Sequence, residues 1–273
     1  MYLWDRIEET ALWIEKSIGD FKPQVGIILG TGLGKLADEI KQTAILEYEN
    51  IPNFPVSTVE SHAGKLIFGE LAGKKVVAMQ GRFHLYEGYN MDQVTFPVRV
   101  FKRLGVETLI VSNACGGINE NLKAGDIMVI SDHINLLGLS PLMGKNDERL
   151  GARFPDMSEP YSKRLIEIAL KTGLEMGLNI KRGVYAVTMG PNLETAAEYR
   201  FLEIIGADVI GMSTVPEVIV AVHARLKVLG LSVITDECRP DNLKPVSLEK
   251  IIAVSESAEP KLVNLIRKVL EKI

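Results

Sequence analysis

Short apolar runs and apolar stripes alternate along the whole chain. A first stripe with intervals of three and four predicts a surface helix docked on a core, and it comprises Trp4, Ile7, Ala11, Ile14 and Ile18. Continuous runs such as Gln24–Leu29 and Glu107–Ser112 predict buried strands. Because no repeat or linker interrupts this alternation, the chain is predicted to be one α/β domain, residues 1–273, with a mixed central β-sheet flanked by helices.

The remaining pattern gives further elements. Strands are predicted at Lys65–Leu71, Lys74–Gln80, Asp126–His133, Arg182–Met189, Asp208–Gly211 and Leu231–Thr235, the first two forming a β-hairpin. Helices are predicted from Val94 to Leu104, over Tyr161–Met176, and over Ser247–Ile273 with a break at Pro260. The Val and Ile content of Glu217–Leu229 suits a strand, but its length and the closing Gly230 favour a buried helix.

The stretch from Thr188 to Ala224 brings two predicted strand ends close together in sequence, and each strand leads into a helix. Asn192 or Thr195 is expected to cap the first helix, whose apolar face comprises Ala197, Phe201, Leu202 and Ile205. Pro216 is expected to open the second helix. Open α/β sheets bind small ligands at such strand ends. Glu194, Met212 and Ser213 lie there and are candidate site residues.

Composition excludes several classes of protein. The 273 residues carry 31 Lys and Arg against 35 Asp and Glu, a net charge of −4, so neither nucleic acid nor an anionic membrane is an expected partner. Met1–Ile18 carries four acids and resembles no targeting segment, and no run approaches the roughly 18 apolar residues of a membrane span. Cys115 and Cys238 have no metal or redox spacing, so a soluble cytoplasmic protein with free thiols is predicted.

A glycine-rich turn follows the first predicted strand. In Gly30-Thr31-Gly32-Leu33-Gly34, backbone amides and the Thr31 hydroxyl could approach an anion closely. The turn is not a dinucleotide fingerprint, because Lys35 stands where the third glycine would be. A turn needed only for packing is the alternative.

The segment Gly81–Tyr89 is polar and aromatic. Arg82 and His84 alternate, so in an extended backbone both project to one side, where they could bind a phosphate. Tyr86 offers a ring and a hydroxyl suited to a sugar, although an ordinary charged turn would look similar. None of the four histidines forms a metal-binding pair, so no metal is expected.

Small residues end the strand after Ser112. Asn113-Ala114-Cys115-Gly116-Gly117 leaves room for a flat ring or an anion against the backbone, and packing is the favoured role of Cys115. Glu194 and Asp236 are acids near strand ends. Beside an anion site, both could accept hydrogen bonds from ring N–H and amino groups.

These segments, in this order, resemble the trimeric class of purine nucleoside phosphorylases. The matching motifs are Gly30–Gly34, Ser61–Gly64, Gly81–Tyr89, Asn113–Gly117, Arg153-Phe154-Pro155, Gly190–Glu198 and Gly206–Glu217. The resemblance implies a nucleoside phosphorylase-like fold and phosphorolysis of the N-glycosidic bond of purine (deoxy)ribonucleosides in purine salvage. It implies no cofactor, with inorganic phosphate as co-substrate, and a homotrimer with shared sites.

The resemblance also assigns roles to residues. Phosphate would be bound by Thr31, Arg82, His84, the Ala114 backbone and Ser213. The base would contact Glu194, Asp236, Leu193, Ile210, Cys115 and Gly116. The sugar would contact Tyr86, Met212, His62, Leu248 and the neighbouring subunit's copy of Phe154. The catalytic set would be His84, Glu194 and Asp236.

Two departures from the family pattern bear on the substrate. Asp236 stands where the family's 6-oxopurine enzymes usually have asparagine, and an ionised aspartate can accept from a 6-amino group but cannot donate to O6. Leu248 is the nearest match to a histidine often found near the ribose 5′-hydroxyl. The favoured substrates are inosine and guanosine, with adenosine as a further one. A methylthioadenosine phosphorylase and a non-catalytic nucleoside-binding protein are the alternatives.

Overall fold

The computed structural model describes residues 2–31, 34–56 and 63–273. Its helices are α1 (Leu3–Ile18), α2 (Met91–Arg103), α3 (Lys163–Glu175), α4 (Ala196–Ile204), α5 (Val215–His223) and α6 (Leu248–Leu270). Its strands are β1 (Val25–Ile28), β2 (Lys41–Glu47), β3 (Lys65–Leu71), β4 (Lys74–Gln80), β5 (Thr108–Gly117), β6 (Ile127–Asn135), β7 (Lys181–Val187), β8 (Val209–Gly211) and β9 (Lys227–Glu237). The predicted α/β class is therefore confirmed.

All these strands belong to one mixed sheet. They pair in the order β2-β3-β4-β1-β5-β8-β7-β6-β9, and β9 also pairs with β5. The five strands from β5 to β9 thus close into a ring, and the other four extend outwards from β5. Parallel pairs such as β1–β5 and antiparallel pairs such as β3–β4 occur together, which confirms the predicted mixed sheet.

Strand β5 pairs with three other strands and is central to the sheet. Its first residues, Thr108–Val111, pair in parallel with β1, whereas Gly116 and Gly117 pair with β8. Along its other edge, β5 runs parallel to β9 from end to end. Because β4 is also parallel to β1, the carboxyl ends of β1, β4, β5 and β9 lie at one edge of the sheet. Ligands of α/β proteins bind at that edge.

Several predicted elements match closely, because their apolar pattern is local and strong. The hairpin β3–β4 has the predicted bounds, and Lys65 pairs with Gln80. Helix α1 buries the predicted stripe apart from Trp4, which is half-buried.

Three predictions about elements are wrong, and one strand was missed. Lys227–Leu229 begins strand β9, so the preceding helix α5 ends earlier, at His223. Helix α6 passes through Pro260 without a break, since core residues on both sides of the proline keep it docked. In α4 the buried residues are Tyr199 and Leu202, while Ala197 and Phe201 face solvent, because the face that packs against Ile210 and Cys238 carries Tyr199 and Leu202. The edge strand β2 was missed because it is largely exposed and lacks a clear apolar pattern.

Candidate active site

A cavity of about 340 Å³ opens at the carboxyl ends of the central strands. The predicted site residues that line it are Thr31, Arg82, His84, Tyr86, Ala114, Cys115, Gly116, Leu193, Glu194, Ile210, Met212, Ser213, Asp236 and Leu248. Phe154 is not among the lining residues and is 87% exposed. His62 lies outside the described residues. The structure therefore gathers segments from seven parts of the chain around one space.

Arg82 anchors one end of the cavity, which we call the anion end; it comprises Thr31, Arg82, His84, Ala114 and Ser213. The guanidinium group is 2% exposed, and its Nη1 donates to Ser213 Oγ at 2.7 Å. Its Nε lies 3.6 Å from Glu217 Oε1, and the two charged side chains form a buried ion pair. Because Ser213 Oγ already accepts from Arg82, the Ser213 hydroxyl proton can point to a ligand.

Thr214 connects this end to helix α5 through a strained turn. Its φ of 75° and ψ of −53°, with Val215 N donating to Ser213 O at 2.8 Å, form a γ-turn of the rare positive-φ type. The turn is held because Thr214 Oγ1 accepts from Arg82 Nη1 at 3.1 Å and from Asn113 Nδ2 at 2.9 Å. Backbone strain of this kind occurs at functional sites, where the surroundings fix it.

His84 is oriented by its own segment. Glu87 Oε1 lies 2.9 Å from His84 Nδ1 and also accepts from the His84 backbone N–H at 2.8 Å. The His84 ring stacks on Tyr86 with 4.6 Å between ring centroids. Burial, and secondarily Glu87, raises the pKa of Tyr86 to about 12, so its hydroxyl keeps its proton at neutral pH. All three predicted side chains of this segment, Arg82, His84 and Tyr86, therefore line the cavity.

The glycine-rich turn starts where β1 meets β5. A Cβ on Gly30 would lie 2.8 Å from Asn113 Cα, so only glycine fits this crossing. Gly30 N donates to Ser112 Oγ at 3.4 Å, and Thr31 follows on the cavity wall. Gly32 and Leu33 lie outside the described residues.

Two carboxylates lie at the other end of the cavity, which we call the base end; it comprises Cys115, Gly116, Leu193, Glu194, Ile210 and Asp236. Glu194 Oε1 accepts from Thr188 Oγ1 at 2.9 Å. Asp236 accepts from Thr235 Oγ1 at 2.8 Å and from Cys238 Sγ at 3.1 Å. Both acids are thus oriented by neighbouring donors.

Gly116 forms the wall against which a flat ring could lie. A Cβ there would be 2.5 Å from Cys238 Sγ and 3.5 Å from Asp236 Oδ2. Cys115 is 4% exposed, and burial raises its thiol pKa well above the usual range, which agrees with the predicted packing role rather than a nucleophile.

Sequence reasoning missed several residues of the site. The structure adds Thr214 and Glu217 behind the anion end, and Tyr199, Cys238 and Ile251 along the cavity wall. One sequence feature could have indicated Glu217, namely that this acid directly follows Pro216 in the first turn of a helix. Its partner Arg82 is far away in sequence and carries no local mark of the pairing.

Within residues 2–31, 34–56 and 63–273, no helix is both long and apolar enough to cross a membrane. The same residues contain no group of three or more His, Cys, Asp or Glu side chains placed to hold a metal ion.

Comparison with known proteins identifies the class. The model of the phosphorylase superfamily matches residues 24–271, so the chain belongs to this superfamily. It is 51% identical to purine nucleoside phosphorylase 1 of Bacillus subtilis over 97% of this chain and 98% of that protein. The Schistosoma mansoni purine nucleoside phosphorylase has been solved with inosine and with adenosine. The inosine complex is 42% identical to this chain and covers 98% of this chain and 96% of its own chain, with a TM-score of 0.93. The adenosine complex is 41% identical and covers 98% of this chain and 97% of its own chain, also with a TM-score of 0.93. The family resemblance predicted from the sequence is confirmed.

Proposed function

We propose that this protein is a purine nucleoside phosphorylase that acts on inosine and guanosine, with adenosine as a further substrate. It would transfer the (deoxy)ribosyl group to inorganic phosphate, releasing the free base and (deoxy)ribose 1-phosphate for purine salvage. The observation that carries this proposal is that one cavity has anion-binding donors at one end and two carboxylates at the other.

At the anion end, phosphate is held by the Arg82 guanidinium and the Ser213 hydroxyl, which already share a hydrogen bond. Thr31 and the Ala114 backbone complete the donors, and His84 contributes a further polar contact. Breaking the N-glycosidic bond builds positive charge on the sugar, and a fixed phosphate beneath the sugar stabilises that charge. No cofactor is required for this step.

At the base end, Glu194 accepts from N1–H and the 2-amino group of a guanine, while Leu193, Ile210, Cys115 and Gly116 contact the ring. Asp236 faces the 6-substituent or N7. As an ionised acid it accepts from a 6-amino group; when protonated it donates to N7, where negative charge develops on the leaving purine. Thus His84, Glu194 and Asp236 form the proposed catalytic set.

The sugar lies between the two ends. Tyr86 and Met212 line the cavity wall, which supports their proposed contact with the ribose, and Leu248 lines it too while being 66% exposed. His62 is proposed to lie close by, as the sequence predicts.

The active assembly is proposed to be a homotrimer in which Phe154 enters a neighbouring subunit's sugar pocket. Supporting this, Phe154 is an exposed aromatic side chain outside its own cavity, with Arg153 placed 5.6 Å over its ring. The buried free thiols of Cys115 and Cys238 support a cytoplasmic setting.

A methylthioadenosine phosphorylase is the second candidate, because two residues of the cavity favour it. Asp236 suits a 6-amino group, and the apolar Leu248 suits a 5′-methylthio group. Glu194, which accepts a hydrogen bond from Thr188, instead favours an enzyme that acts on 6-oxopurine nucleosides.

Steady-state rates with inosine, guanosine, adenosine and methylthioadenosine, each with and without phosphate, test the proposal. We expect base release that depends on phosphate and is fastest with inosine or guanosine. A strong preference for methylthioadenosine would establish the second candidate, and release independent of phosphate would overturn both.

A further inference from the structure

Helix α6 reaches the glycine-rich turn through a buried acid. Glu259 is 1% exposed, and its Oε1 accepts from the backbone N–H of Lys35 at 2.5 Å. Lys35 follows Gly34, the last glycine of the turn that begins at Gly30. The site described above does not use this contact, although it joins residues far apart in sequence.

The contact holds one end of the turn, and other contacts hold the rest. Gln80 Nε2 donates to Gly34 O at 3.3 Å from the end of β4. Ser112 Oγ holds Gly30 at the opposite end. Thr31 therefore lies between two anchored glycines, and Glu259 supplies the one anchor that is a carboxylate.

Burying the Glu259 carboxylate is unfavourable unless it accepts hydrogen bonds. Burial raises the pKa of Glu259, while the Lys35 backbone N–H and ammonium group lower it. The Lys35 ammonium lies 3.9 Å away on a side chain that is 67% exposed, so solvent screens this pair. The backbone hydrogen bond is accordingly the main contact through which Glu259 holds Lys35.

The same helix also borders the cavity. Leu248 and Ile251, in its first turn, line the cavity. Leu248 and Glu259 are about three helical turns apart and therefore lie on one face of α6. One helix thus runs from the cavity wall at Leu248 and Ile251 to Glu259, which contacts Lys35 directly after the glycine-rich turn.

We propose that Glu259 is a positioning residue for phosphate: by holding the Lys35 N–H, it keeps Thr31 in the position that binds the anion. The inference rests on the proposed function, since it assigns the turn to inorganic phosphate. It predicts an effect on phosphate that is separable from any effect on the nucleoside.

Calorimetric titration with inorganic phosphate, together with steady-state kinetics, tests this inference on the full-length protein. Glu259→Ala should weaken phosphate binding and raise its KM about tenfold, because a hydrogen bond to a charged acceptor is lost. The KM for inosine at saturating phosphate should change less than about twofold. Glu259→Gln keeps an acceptor oxygen and should lose only about threefold.

Two variants serve as matched controls. Glu256→Ala removes an exposed acid one turn earlier on α6, and Lys35→Ala removes the ammonium group but keeps the backbone N–H. Both should leave phosphate affinity within about twofold of the original protein.

Equal losses for phosphate and inosine in Glu259→Ala would show a merely structural role and overturn the inference, as would unchanged phosphate affinity. If Glu259→Ala does not fold, an unchanged phosphate affinity in Glu259→Gln overturns it instead. If the original protein binds phosphate but releases no base, the proposed function fails, while the calorimetric series still decides the role of Glu259. Absence of phosphate binding in the original protein would overturn both.

Discussion

The anion end and the base end of the cavity are built in different ways. Arg82, Thr214 and Glu217 are at most 2% exposed, and their contacts join β4, β5 and α5. At the base end, Leu193 is 47% exposed and stands on the loop between β7 and α4. Arg82 of the anion end is thus held by core contacts on every side, whereas the base end combines two buried residues, Cys115 and Ile210, with a loop at the surface.

This difference separates two tasks of the enzyme. A phosphate is the same in every turnover, so its donors can be fixed in advance by buried contacts. The purine varies in the proposed reaction, and Leu193 and Glu194 stand on a loop where a substitution disturbs less of the core than one at Arg82. We therefore expect changes at the anion end to affect all substrates alike, and changes at the base end to alter the choice among them.

The largest effect is expected from Arg82→Met. Loss of the guanidinium should reduce kcat/KM about 10³-fold with every nucleoside, because a main phosphate donor is removed. The buried Glu217 carboxylate then has no opposing charge at 3.6 Å, so the free energy of unfolding should fall by about 3–5 kcal/mol.

The double variant Arg82→Met/Glu217→Gln separates the two effects. It should recover much of the stability in chemical denaturation without recovering activity. Recovery of activity along with stability would show that Arg82 acts only through the fold.

Glu194→Gln should have the next largest effect, and only with some bases. The amide has one acceptor oxygen, so kcat/KM for guanosine should fall about 10²-fold, while adenosine, which lacks N1–H and the 2-amino group, should lose less than about threefold. Glu203→Gln, on the exposed side of α4, is the control. Equal losses with both nucleosides would contradict the base-reading role of Glu194.

Asp236→Asn should change preference rather than overall rate. An asparagine can donate to O6 or N7, so the ratio of kcat/KM for inosine to that for adenosine should rise about tenfold. Glu237→Gln, at the next position and partly exposed, should leave the ratio unchanged. An unaltered ratio in Asp236→Asn would mean that this side chain does not face the 6-substituent.

Tyr86→Phe should have the smallest effect, about a threefold loss of kcat/KM. Because the pKa of Tyr86 is raised to about 12, its hydroxyl stays protonated below that pH, and the variant and the original should share one pH profile between about pH 8 and 10. If the activity of the original protein changed with pH in this range while that of Tyr86→Phe did not, the raised pKa of Tyr86 would be contradicted.

Most residues of the cavity wall could be predicted from the sequence because they lie in short local motifs. Arg82, His84 and Tyr86 lie in one short segment, and the alternation of Arg82 and His84 predicted that these two share a side before the structure showed it. The hairpin β3–β4 was predicted equally well, because its strands follow directly on each other.

Long-range contacts escaped prediction for a physical reason. The pairing of Arg82 with Glu217 and the hydrogen bond from Lys35 to Glu259 join segments that share no pattern. Local rules also failed where packing overrode them, as in α6, where Pro260 was expected to break a helix that the core keeps intact. The role of Phe154 remains a prediction, since it concerns a neighbouring subunit.

The ring of strands from β5 to β9 has a consequence for the order of events in folding. Its closing pair joins Thr108 to Lys227, so the ring is complete only when nearly half the chain has been brought round on itself. Contacts of such high sequence separation form slowly. Ser213 and Asp236 lie within that interval or just beyond it, so catalytic activity should return late in renaturation, after most helical signal has recovered. An enzyme assay would then report on the final steps of assembly.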